Sequence, residues 1–337
     1  MGLCPGIFPL LITWPAHYFL IIKNAHYTLS EELSLRAWIG QHAPANTKAT
    51  YAVYENQYLE YTTRKGLRPA AQVSLCAFMR GALEERKLAR STLLNVIPAA
   101  VENLFKYEVD SPARDLTGQS LLRHTKRTIS MLTRKSKAKL PILRAHLKDM
   151  AAACSDEPKD VRDVFMIILM FVGFLRQSEA VALLHEDTWV ETVQETGQEA
   201  LYVVVRKSKT DQFSENATIV IGGSPGNSLC PVAWHRRHTS KRLSSPFLFY
   251  KVGQGEGQKL APTTPNHTVK RWLGKIGVNP AGFGSHSLRR GGATAAAKAK
   301  VRMHVIKRHG RWASDAVYLY IVDAIEEQLG LSAAVLG

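Results

Sequence analysis

The chain has 337 residues, 45 % of them hydrophobic, with a formal net charge of +16. That length suggests two domains, and the apolar fraction is too high for a disordered chain. The charge points to a polyanionic partner, either nucleic acid or an anionic membrane.

Residues 5–22, PGIFPLLITWPAHYFLII, are apolar but carry Pro5, Pro9 and Pro15 and follow no basic residue. Three prolines break a spanning helix, so residues 1–30 read as an N-terminal extension, not an anchor, and no membrane partner is expected. From about 31 to 136, runs such as LRAWIGQ, ATYAVYENQYLEYTTRKG and LARSTLLNVIPAAVENLFKYEV repeat apolar residues every three or four positions. Breaks at Pro44, Gly66–Pro69 and Asp110–Pro112 divide them into a bundle of four or five helices. Arg123, Lys126, Arg127, Arg134, Lys135, Lys137 and Lys139 follow with no carboxylate among them. This is the pattern of a segment laid along a DNA backbone, although a solvated helix face leading into a linker has a similar composition. A domain boundary is expected near 137, with a helix opening at Leu140–Pro141.

The second half differs. VRDVFMIILMFVGFL is a nearly continuous apolar run, too short to span a bilayer, and reads as a buried core helix. LYVVV at 201–205 and ATIVI at 217–221 flank the polar RKSKTDQFSEN and predict a β-hairpin with a long basic tip. After Pro231 the chain reads as helical to its end. The four cysteines are scattered without a CxxC pair, which argues for reduced thiols. Cys230, His235 and His238 lack a fourth ligand nearby, so no metal site is assigned; the CPVAW context reads as a helix start.

Chemistry-bearing residues fall at the ends of these elements. Arg176 closes the buried run and precedes Glu179, with which an ion pair is expected. Lys209, with Lys207 as its competitor, lies at the hairpin tip. His286 and Arg289 lie three apart, on one helix face. Trp312, Tyr318 and Tyr320 lie on or near the last helix, capped by Ser314 or Asp315.

In this order the motifs FLRQSE, KSKTDQ, HSLRRGGAT and GRWASDAVYLYI resemble the arginine, lysine, HxxR and tryptophan–tyrosine boxes of the tyrosine recombinase (phage integrase) family. The resemblance covers about 140–325. It implies a mainly α protein: a helical core-binding domain over 31–137, then a mostly helical catalytic domain over 138–337 with a small antiparallel sheet. The two domains would form a C-shaped clamp around double-stranded DNA, and protomers would associate as dimers to tetramers on paired sites.

Catalysis by Arg176, Lys209, His286, Arg289, Trp312 and Tyr320 is implied. Tyr320 would attack the scissile phosphate, giving a 3′-phosphotyrosyl link and a free 5′-hydroxyl. Arg176 and Arg289 would hold the non-bridging oxygens, His286 would act as base, Lys209 as acid, and Trp312 as indole donor. No metal, ATP or other cofactor is required.

Tyr320 is preferred to Tyr318 because it precedes an isoleucine and lies eight positions after Trp312. That interval resembles mobile-element members. Trp312 is preferred to His309 by the Ser-Asp that follows. A type IB topoisomerase-like strand transferase and a non-enzymatic DNA-binding derivative remain alternatives. The compartment would be intracellular: nuclear in a eukaryote, otherwise cytoplasmic.

Overall fold

The structure is a computed structural model and describes residues 45–105, 116–134, 138–206, 216–241, 244–253, 257–312, 314–322 and 334–335. The N-terminal extension lies outside these residues. Among them, no helix is long and apolar enough to cross a membrane. The chain divides into two compact units, Met1–Lys137 and Ala138–Gly337.

In the first unit the described elements are all helical: α1 (Ala45–Lys65), α2 (Gln72–Arg86), α3 (Ile97–Phe105), led by a π turn at Thr92–Val96, and α4 (Leu116–Leu132). Tyr54, Tyr58 and Tyr61 recur on one face of α1, and Tyr58 is fully buried, edge-on to Phe78 and Phe105. Gly66, at φ +61, ends α1, letting the Leu67 amide turn back to Thr62 O. On α4, Gly118 and Ile129 face inward while Arg123 and Arg127 share the exposed side. Lys126 is half-buried, and Arg134 is exposed just beyond the helix. Lys135 and Lys137 lie outside the described residues.

The second unit is built around α6 (Pro158–Val172), whose residues 161–171 are all buried. Its periodicity is invisible in the sequence because it is covered all round. Proline opens it at the first turn. It packs against α5 (Arg144–Ala152), α8 (Pro231–Ser240), α9 (Thr264–Lys275) and α10 (Ser285–Lys298). The helix expected at Leu140–Pro141 begins only at Arg144. Residues 140–142 are instead extended: Leu140 N donates to Gly282 O and Ile142 N to Ser287 O.

A short helix α7 (Gln177–Ala180) leads to a sheet of three antiparallel strands in the order β1 (Thr188–Val193), β2 (Gln198–Val205), β3 (Ala217–Gly222). The β2–β3 hairpin pairs Val205 with Ala217, and its tip, with Lys207 and Lys209, lies outside the described residues. Leu201, Val203, Val205, Ile219 and Ile221 point into the core. α11 (Met303–His309) and a 3₁₀ turn at Asp315–Leu319 follow α10. The protein is thus mainly α with one small antiparallel sheet. Tyr318 and Tyr320 sit on and just after that 3₁₀ turn, not on the α-helix expected there.

Candidate active site

The site begins where α6 ends. Gly173 caps the helix, and Phe174 turns the chain at φ +48, a left-handed conformation costly for a bulky residue. The turn presents the Phe174 carbonyl inward and sets Arg176 at the start of α7. There the Arg176 amide donates to Glu179 Oε2 (2.9 Å) and its Nη1 to Oε1 (2.6 Å). The expected Arg176–Glu179 pair is formed, with the carboxylate fully buried.

Helix α10 brings the second arginine. Its Gly291 and Gly292 have no room for a side chain. A Cβ would lie 2.1 Å from Ile142 O at one and 2.1 Å from Phe171 O at the other. These glycines let α10 lie directly on the 140–142 segment and on the last turn of α6. Arg289, one turn earlier, is then driven beneath Phe174. It is fully buried and donates through Nη1 to Phe174 O and through Nη2 to Gly310 O.

Its guanidinium carbon lies 4.0 Å from the centre of the Trp312 ring and 5.5 Å from that of Tyr320. The two rings meet at 5.2 Å. Gly310 makes this stack possible, since a Cβ there would fall 1.8 Å from the indole. Trp312 Nε1 and Arg289 Nε are buried without a partner among the described residues. Buried donors left unpaired are costly unless something else accepts from them.

The same helix holds the tyrosine segment. Arg290 Nη1 donates to Leu319 O (3.0 Å). Thr294 Oγ1 donates to Tyr320 O (3.3 Å) and accepts from the Val322 amide (3.1 Å). Ser314 caps the 3₁₀ turn through Ala316 N, and Lys307 pairs with Asp315 at 2.9 Å. Tyr320 is half-buried against Trp312, whereas Tyr318 is 58 % exposed. His309 packs edge-on against Phe174 and bonds Val172 O through Nε2 (2.7 Å), so it buttresses the turn instead of facing the tyrosine.

His286 lies exposed on the first turn of α10. Among the basic DNA-contact candidates, Lys139 falls in this unit, its stem beside Gly284 at the start of α10. Arg123, Lys126, Arg127 and Arg134 belong to the first unit.

Charge is unbalanced here. Arg311 also reaches Glu179 (Nη2–Oε2 2.8 Å), so two guanidinium groups share one carboxylate, and the charge of Arg289 lies close enough to feel all three. Burial alone would raise the Glu179 pKa. Arg311, the Arg176 amide and the Arg176 guanidinium outweigh it and hold the carboxyl below its usual range. Burial, followed by the Arg176 and Arg311 charges, pulls Arg289 well below the usual arginine range. The site is therefore short of negative charge, and forked donors aimed at one region suit a phosphate.

Sequence reasoning singled out neither Arg311 nor the Thr294 and Arg290 contacts. Their partners lie up to 138 positions away along the chain, beyond the reach of any local pattern. Among the described residues no cluster of three His, Cys, Asp or Glu could hold a metal; Cys230 is the buried residue preceding α8.

The phage integrase family model matches residues 142–320, more than half of the chain. An integrase/recombinase xerD homologue of Selenomonas ruminantium is 26 % identical over 319 residues, covering 90 % of this chain and 89 % of the relative. Among solved structures, the XerH site-specific recombinase bound to a palindromic difH substrate is similar at a TM-score of 0.57 and 19 % identity, over 81 % of this chain and 75 % of that one. A lambda integrase dimer bound to a COC′ core site gives 0.56 and 15 %, over 93 % and 82 %. The chain belongs to the phage integrase family, the tyrosine recombinases, enzymes that cut and rejoin DNA strands in site-specific recombination.

Proposed function

We propose that the chain is the recombinase of a mobile element and that Tyr320 is its nucleophile. One observation carries this reading: a half-buried Tyr320 packs against Trp312 over the buried Arg289, in a site with more guanidinium groups than carboxylates.

Arg176 and Arg289 clamp the non-bridging oxygens of the scissile phosphate and stabilise the charge that grows on them in the phosphorane. The unpaired Trp312 N–H donates to one of those oxygens. His286 takes the tyrosine proton, since a phenol near pKa 10 needs help to ionise at neutral pH. Lys209, in preference to Lys207, protonates the departing 5′-oxygen. The 3′-phosphotyrosyl bond conserves the energy of the broken one, so rejoining needs no ATP.

The first unit acts as a core-binding domain, gripping duplex backbone with Arg123, Lys126, Arg127, Arg134, Lys135 and Lys137, while Lys139 does so from the catalytic unit. Self-association on paired DNA sites and residence with the DNA inside the cell follow from this reading. The eight-residue interval between Trp312 and Tyr320 supports the mobile-element assignment.

A suicide duplex drawn from DNA flanking the gene, nicked near the cleavage point, tests the proposal. Intact protein and Tyr318→Phe should give a DNA-linked band on denaturing gels, and Tyr320→Phe should give none. A band that survives Tyr320→Phe but is lost in Tyr318→Phe overturns the assignment. Tight, salt-sensitive binding with no band from any protein favours a non-enzymatic DNA-binding role.

A further inference from the structure

Arg311 lies within GRWASDAVYLYI but is not among the six residues to which the resemblance gives a catalytic role, yet among the described residues it is bonded more heavily than either clamping arginine. It stands at φ +57, a left-handed backbone that an arginine keeps only when its surroundings hold it there. Its side chain is 9 % exposed. Nη1 donates to His309 O (3.0 Å) and Gly173 O (3.4 Å). Nη2 donates to Phe174 O (3.2 Å) and Glu179 Oε2 (2.8 Å). These four acceptors match the four hydrogens on its two terminal nitrogens, so neither terminal nitrogen has a hydrogen left over for a phosphate; the buried Nε–H alone has no partner among the described residues.

Two of those acceptors are shared. Glu179 is the carboxylate that also holds the amide and guanidinium of Arg176. Phe174 O is the carbonyl that also receives Arg289. We propose that Arg311 is a positioning residue, a brace that fixes the separation of Arg176 and Arg289 by gripping the support of each. The inference rests on the reading that those two arginines clamp the scissile phosphate. A planar guanidinium can bridge four acceptors at set angles; a lysine ammonium, with its three donors on a flexible stem, cannot. Arg311 also adds a cation beside the other two, so an incoming phosphate meets a site already lacking negative charge.

The test uses the full chain with Arg311→Lys, Arg176→Lys and the double variant, on the nicked flanking duplex at saturating concentration. Arg311→Lys should slow covalent-complex formation by about 100-fold, the scale of losing a preorganised donor, with DNA binding changed less than about threefold. The double variant should lose at least about tenfold less than the product of the two single losses, because one residue acts through the other. Multiplying losses, or a single loss below about threefold, would overturn the brace.

The guanidinium NMR signals give a readout that does not need DNA cleavage. Inorganic phosphate should shift the Arg176 and Arg289 signals and leave the Nη signals of Arg311 unmoved. A shift at Arg311 equal to theirs would make it a direct ligand and sink the proposal. If the intact protein forms no covalent complex on any duplex, the recombinase reading falls. The brace is then judged on the NMR alone: restricted rotation of Arg176 and Arg289 that persists in Arg311→Lys overturns it, and its loss supports it.

Discussion

Replacing Glu179 by glutamine tests whether the charge balance drawn from the structure is energetically real. The side chain is fully buried and accepts from the Arg176 amide (2.9 Å), Arg176 Nη1 (2.6 Å) and Arg311 Nη2 (2.8 Å). Glutamine keeps the shape and one acceptor but leaves these guanidinium groups and Arg289 with no carboxylate. Removing one partner of a buried ion pair costs about 3–5 kcal/mol, and the retained acceptor places this case near 3.

The pH dependence has a definite sign. The folded-state pKa of Glu179 lies below its ordinary value, so its contribution is complete above the unfolded value, about 4.3, and fades as pH falls through the folded one. The gap between wild type and variant should hold from pH 7 to about 5.5, then narrow as pH enters the carboxylate range. Urea unfolding followed by tryptophan fluorescence suits the measurement, because four of the six tryptophans lie in the second unit. A gap under about 1 kcal/mol at pH 7, or one that widens on acidification, would refute the reasoning.

Gly292→Ala places a Cβ 2.1 Å from Phe171 O, where only backbone movement relieves the clash. It should cost at least about 2 kcal/mol in the same unfolding assay. Thr294→Val removes the hydroxyl that links Tyr320 O to the Val322 amide. It should slow covalent-complex formation about tenfold at unchanged DNA affinity, the worth of one or two hydrogen bonds, while Thr294→Ser stays near wild type. Trp312→Phe keeps a ring over Arg289 but loses the unpaired indole N–H, and should reduce single-turnover cleavage about 100-fold.

The sequence made some parts of this architecture readable and hid others for physical reasons. The 161–175 run announced a buried helix because a segment covered on every side has no polar face to conserve. The flanks of the hairpin alternated with period two because one sheet face is buried. Strand β1, TWVETV, escaped notice because it is mostly exposed and lacks an apolar rhythm. Pro141 looked like a helix opener, but its neighbours are held extended by Gly282 and Ser287, contacts about 140 positions away.

At the site, the Arg176–Glu179 pair was readable because both ends lie within one turn. The stack of Trp312 on Arg289 and the reach of Arg311 to Phe174 come only from the close approach that Gly291, Gly292 and Gly310 allow. The glycines of HSLRRGGAT and HGRW could have served as that signal, since each stands where a backbone or ring would collide with a Cβ.

The surplus of arginines over carboxylates has a consequence for how the protein can change over generations. Losing Arg176 or Arg311 would strip the buried Glu179 of a partner and cost stability. Replacing Arg289 by a neutral side chain that keeps its hydrogen bonds, or adding a second carboxylate beside it, instead relieves repulsion in the empty fold and should raise its melting temperature. The same substitutions remove the affinity for the charge that develops at the phosphorus. Selection for robustness and selection for strand exchange thus pull these positions in opposite directions. A copy released from the need to recombine would drift first toward greater durability, losing its chemistry well before its shape.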